Sequence, residues 1–117
     1  MLERDARAVA LEYFSRVRAG GEDIADLFHA DAELLGLGRR VSGREEIRSF
    51  YREAVAGPRP SPSEPVALLG DASRAFAEIH IGLSDGTTIH AVDVFAVDGG
   101  LIRSLTYFIA EYPGHSA

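Results

Sequence analysis

The chain has 117 residues, 46% of them hydrophobic, and a formal charge of -6. That length and apolar content suit one packed core and exclude a disordered chain, and the acidic balance argues against nucleic acid or an anionic membrane as partner. It has no cysteine, and all 12 basic residues are arginine, so disulfides, thiolate metal sites, cysteine nucleophiles and Schiff-base lysines are out.

No apolar run approaches the roughly 20 residues of a membrane span and no signal peptide is visible, so a cytoplasmic protein is expected. Residues 3–19 are predicted as a helix. Ala6, Val9, Ala10, Tyr13, Phe14 and Val17 recur at spacings of three and four, and Gly20-Gly21 ends it. A short second helix over 22–28 turns Ile24, Leu27 and Phe28 inward, and 32–37 reads as a strand. Ser42-Gly43-Arg44-Glu45 has the spacing of a capping box. It opens a third helix over 44–56 with Ile47, Phe50, Tyr51 and Ala54 inward. Four prolines mark 57–65 as an extended loop. Strands follow at 66–69, 74–83, 87–97 and 101–112, with turns at 70–73 and 98–100, and 113–117 should fray.

Helices followed by an antiparallel meander form an α+β pattern. The expected fold is a cone: a curved antiparallel, or mixed, sheet wrapped around three N-terminal helices and enclosing an apolar pocket. It is a single domain over 1–117.

The stretch 87–97 carries the chemistry. It is rich in β-branched residues, yet Asp93 sits in its middle between Val92 and Val94. A carboxylate there is costly unless it is paired or protonated. Asp85-Gly86, just before, reads as a two-residue hairpin turn. Counting outward, His80 faces Ala91, Glu78 faces Asp93 and Phe76 faces Phe95. That register puts Phe76, Glu78, His80, Ala91, Asp93 and Phe95 on one face, and Ala77, Ile79, Ile81, His90, Val92 and Val94 on the other. Opposed carboxylates resist double ionisation, so one of Glu78 and Asp93 should hold its proton near neutrality. His80 lies within diagonal reach as a base. His80 and His90 fall on opposite faces, so no metal site is expected. The second face is too apolar for water, and a homodimer through this outer sheet face is expected.

The first helix with Tyr13, D-I-A-D-L-F-H-A-D-A (23–32), G-R-E-E-I-R-S-F-Y (43–51) and V-D-V-F-A-V-D-G-G-L-I (92–102) together cover nearly the whole chain. In that order they resemble the nuclear-transport-factor-2-like superfamily, and within it ketosteroid isomerases and SnoaL-like polyketide cyclases. The resemblance implies a cone with a deep apolar pocket, commonly in homodimers. It also implies that Tyr13 and a protonated Asp93 donate hydrogen bonds to an enolate oxygen, with Tyr51 joining them. The isomerases' general-base aspartate falls near Gly36, so Glu33, Glu78 or His80 would have to substitute.

The candidate catalytic residues are therefore Asp93, Tyr13, His80 and Glu78. The candidate substrate-binding residues are Tyr51, Phe50, Phe76, Phe95, Tyr107 and Val17. Tyr107 reaches the Asp93 face if the 98–100 turn takes three residues. The expected function is a cofactor-free isomerase or cyclase acting on a small apolar carbonyl compound, steroid-like or polyketide-like, through an enolate. The alternatives are an epoxide hydrolase-like enzyme using the Glu78–Asp93 pair, and a non-catalytic small-molecule binding module.

Overall fold

A computed structural model describes residues 4–20, 22–36, 38–56, 65–82 and 86–111. The expected helix start at Glu3, the proline-rich loop over 57–64, the Ser84-Asp85 part of the hairpin turn and the 112–117 tail lie outside the described residues.

Helix α1 spans Ala6–Ala19. The Asp5 carboxylate accepts from the Ala8 N–H at 2.8 Å and caps its start. Gly20, at φ 75°, ends it by donating its N–H to the Arg16 and Val17 carbonyls, a left-handed position that favours glycine. Ala6, Val9, Ala10, Tyr13 and Phe14 are buried, as the spacing predicts. The second expected helix is instead a 3-10 helix, Glu22–Leu27. The chain then enters strand β1, Phe28–Gly36, earlier than expected, and turns back as β2, Arg39–Ser42, which was not expected at all. Helix α2 is Arg44–Ala56. Its capping box is not formed as predicted. Ser42 donates to the Glu33 carboxylate at 3.2 Å, and the Gly43 carbonyl accepts the first helical N–H, from Ile47. Strands β3, Ala67–Gly70, β4, Arg74–Gly82, β5, Thr88–Asp98, and β6, Leu101–Glu111, complete the chain. Among the described residues no helix is long and apolar enough to cross a membrane.

The six strands form one mixed open sheet in the order β2-β1-β6-β5-β4-β3. β3 to β6 are the expected antiparallel meander, and β1 joins β6 in parallel. The turn after β5 differs from expectation. Asp98 pairs with Leu101, so Gly99 and Gly100, at φ 62° and 80°, make a two-residue turn. A register shift between Ala96 and Val97 then absorbs the extra residue, and Tyr107 still comes opposite Asp93. Both α-helices lie on one sheet face, because the hydroxyls of Tyr13 on α1 and Tyr51 on α2 meet that of Tyr107 on β6.

The β4–β5 register is one residue away from the predicted one. Ala77 pairs with Asp93, Ile79 with Ala91, His80 with His90 and Gly82 with Thr88. The described pairing ends at Gly82 with Thr88, where a two-residue Asp85-Gly86 turn would have paired Leu83 with Thr88. A one-residue slip moves every side chain to the other face. Ala75, Ala77 and Ile79 are therefore buried with Ala91, Asp93 and Phe95, and Ile81 packs partly against them. Phe76, Glu78 and His80 point outward with His90, Val92 and Val94. The physical reason is desolvation: the predicted register would bury a glutamate and an imidazole and expose Ile79. Ile79→Asp is therefore expected to cost about 3 kcal/mol or more, and Glu78→Val to stay within about 1 kcal/mol. Urea unfolding of both variants checks this; the opposite ranking rules out the observed register.

Candidate functional site

Asp93 is the only buried charged residue among those described, at 1% exposure. It comes from the middle of β5, where strand alternation places it between the inward Ala91 and Phe95. Its Oδ1 has no hydrogen-bond partner among the described residues. Burial pushes the carboxyl up to about 8, so at pH 7 roughly nine in ten molecules carry it neutral.

Facing it is a closed triangle of phenol hydroxyls. The Tyr13 hydroxyl lies 2.8 Å from that of Tyr51 and 2.9 Å from that of Tyr107, and Tyr51 and Tyr107 lie 2.8 Å apart. Each hydroxyl can donate once and accept once, so the ring is satisfied in either sense. Burial raises all three phenols above their ordinary range; after it, the neighbouring phenols and the Asp93 charge raise Tyr13 and Tyr107 further. The three hydroxyls are neutral donors throughout the physiological range. Phe95 and Phe14 hold the Tyr13 ring by edge contacts at 5.3 and 5.2 Å between centroids.

Tyr107 also forms one wall of the site. A Cβ at Gly36 would stand 2.8 Å from the Tyr107 Cβ and 2.9 Å from its Cδ2, so the tyrosine fills the space a side chain at 36 needs. Beside it is a cleft of about 60 Å³ lined by Leu34, Gly36, Arg39, Val41, Phe50 and Tyr107. Arg39 covers the Phe50 ring at 5.5 Å. A small-molecule pocket usually measures about 300–1,000 Å³. This cleft by itself is smaller than the deep apolar pocket expected from the sequence.

The profile of the SnoaL-like domain matches residues 10–105. The chain belongs to the SnoaL-like domain family. Its fold is the nuclear-transport-factor-2-like one that its motifs resemble. No curated protein matches the sequence. Among solved structures, it is similar to the epoxide hydrolase/cyclase-like enzyme SalBIII of pyran ring formation in the polyether salinomycin. The two are 24% identical over 88% of each chain, with a TM-score of 0.75. It is similar to a proposed ketosteroid isomerase from Kribbella flavida, 23% identical over 95% of this chain and 82% of that one, TM-score 0.80. A proposed polyketide cyclase from Sinorhizobium meliloti is 20% identical over 86% of this chain and 93% of that one, TM-score 0.77. At these identities the likeness is one of fold.

Of the predicted site residues, this SnoaL-like chain brings Asp93, Tyr13, Tyr51, Tyr107 and Phe95 together on the inner face. Phe50 lines the cleft, and Val17 packs partly buried on α1. Three others are elsewhere. Phe76 is 47% exposed on the outer face, and Glu78 and His80 share that face with His90. The predicted Glu78–Asp93 pair and the His80–Asp93 diagonal do not form. Glu33 is no substitute base in the interior, since it pairs with Arg40 at 2.7 Å, which holds its carboxyl below the usual range. The separation of His80 from His90 is likewise overturned: the two rings stack. The alternation Ala75-Phe76-Ala77-Glu78-Ile79-His80, read for its small apolar members, was the signal for this register.

The raised Asp93 carboxyl has a consequence for stability. Below about pH 4 it is protonated in both folded and unfolded chains. Above that the unfolded chain releases the proton, whereas the folded chain keeps it until about pH 8. Stability owed to this group is full at low pH and falls by roughly 1.4 kcal/mol per pH unit across that window. Asp93→Asn removes the slope, so the unfolding free energy of the variant minus that of the wild type should rise between pH 5 and pH 8 by a few kcal/mol. Urea titrations at several pH values measure it, and a flat difference excludes a neutral buried carboxyl.

Proposed function

We propose that this SnoaL-like chain is a cofactor-free enzyme that turns over a small apolar carbonyl compound through an enolate. The observation that carries the reading is a buried carboxyl, unpaired at Oδ1, set across from three neutral phenol donors. In this proposal the substrate enters by the cleft beside Tyr107 and turns that ring aside, which opens the way to Asp93 and breaks the hydroxyl triangle, so that freed O–H groups point at the carbonyl oxygen. The Asp93 carboxylate takes a proton from the carbon next to the carbonyl, and the hydroxyls hold the negative charge that develops on oxygen. The resulting acid returns its proton to another carbon, giving an isomer, or the enolate carbon bonds to a second carbonyl carbon, whose oxygen takes that proton, giving a hydroxylated ring. Asp93 takes the role of base because the other candidates, Glu78 and His80, lie on the outer face. A group that titrates near pH 8 is well matched to proton transfer near neutrality.

The substrate class, steroid-like or polyketide-like, follows the family rather than the geometry. The paired-acid epoxide reading loses support because Glu78 lies across the sheet from Asp93.

Exchange of α-protons of cyclic ketones in D2O, followed by NMR, tests enolate formation without knowing the natural substrate. The rate should climb about tenfold per pH unit and level off near pH 8. Asp93→Asn should abolish it, and Tyr107→Phe should lower it by about a hundredfold. Ketone binding without exchange, or full exchange in Asp93→Asn, rejects the proposal and leaves a binding module.

We further propose that two copies pair through the outer sheet face. Leu69, Phe76 and Phe108 are 72%, 47% and 59% exposed there, and Val92 and Val94 lie between them. Contiguous exposed apolar side chains of this kind mark interaction surfaces. Sedimentation velocity at micromolar concentration should give a dimer for the wild type and a monomer for Phe108→Glu. A monomeric wild type overturns this pairing.

A further inference from the structure

At the hairpin end of β4 and β5, on the outer sheet face, Glu78, His80 and His90 stand together. His80 and His90 are directly opposed, and their rings stack at 4.5 Å with 7° between planes. His90 Nε2 lies 2.7 Å from Glu78 Oε2. One ligand atom from each of the three side chains falls within 4.8 Å of the others. Glu78 and His80 are two apart on one strand, so both project from the same face, and His90 reaches them from the neighbouring strand. None of the three takes part in the interior site.

We propose that Glu78, His80 and His90 form a binding site for one divalent transition-metal ion of the zinc or cobalt kind. Two imidazoles and one carboxylate are the donor set of open zinc sites, and they leave a fourth position free. Imidazole donors select borderline ions over magnesium and calcium, which take oxygen ligands in larger number. A tetrahedral ion with bonds of about 2.0–2.2 Å sets its donors roughly 3.4 Å apart. The Glu78–His90 separation of 2.7 Å is below that value and every donor pair lies within 4.8 Å, so small side-chain rotations reach it. The backbone is already placed by the strand pairing, the side chains are exposed enough in the single chain to turn, and a second copy seated on the outer face has to leave this hairpin end open. Binding exchanges the Glu78–His90 hydrogen bond for a bond from each residue to the ion.

Titration of the metal-free full chain with Zn2+ by calorimetry, and with Co2+ by its visible absorption, tests the site. One ion per chain is expected, with a cobalt spectrum of tetrahedral intensity. Free Zn2+ at about a hundredfold above Kd should raise Tm by on the order of 10 °C. His80→Ala and His90→Ala should each weaken binding at least tenfold and Glu78→Gln by less, while His29→Ala and His115→Ala leave it unchanged. Circular dichroism confirms that each variant is folded. No stoichiometric binding by the folded wild type, or unchanged binding in a His80→Ala/His90→Ala double variant, overturns the proposal.

Discussion

Ala75, Ala77 and Ile79 face inward against Ala91, Asp93 and Phe95, and that choice of register decides the chemistry of both sheet faces. Two polar side chains, Glu78 and His80, are thereby kept in water. Burying both without partners would cost several kcal/mol, more than a tight turn can return. One carboxyl stays inside regardless. The cost of enclosing Asp93 appears as a proton held until about pH 8.

Among the described acids, Asp93 contrasts with those held at the surface by arginine. Asp26, Glu33 and Asp98 sit at the surface beside Arg48, Arg40 and Arg103, and those guanidiniums hold their carboxyls below the usual range. Such exposed pairs are screened by water and add little to stability. Asp93 has no such partner: burial alone drives its shift. A carboxyl that titrates near pH 8 can release or take up its proton close to neutrality, and the three phenol hydroxyls lie on the same inner face.

The triangle depends on elements far apart in the chain. Tyr13 and Tyr51 are delivered by the inward stripes of the two helices. Tyr107 is delivered by β6, after the shift between Ala96 and Val97 restores its face. Gly36 admits the Tyr107 ring by having no side chain of its own. The same tyrosine joins the hydrogen-bonded centre to the cleft at Phe50 and Arg39.

Local pattern was enough for the α1 stripe, the helix over 44–56, the meander and the isolation of Asp93 between two valines. These follow from periodicity and from the cost of a carboxylate in an apolar strand, both of which act over a few residues. The 3-10 helix and β2 escaped because short segments carry too little periodicity to be told apart. The register, and with it the places of Phe76, Glu78, His80 and His90, was decided only in three dimensions. Pairing energy is summed over both faces of a sheet, and the length of the connecting loop yields to it. The hydroxyl triangle likewise joins residues 38 and 94 apart in the chain, a closure that only packing of helices on the sheet could bring about.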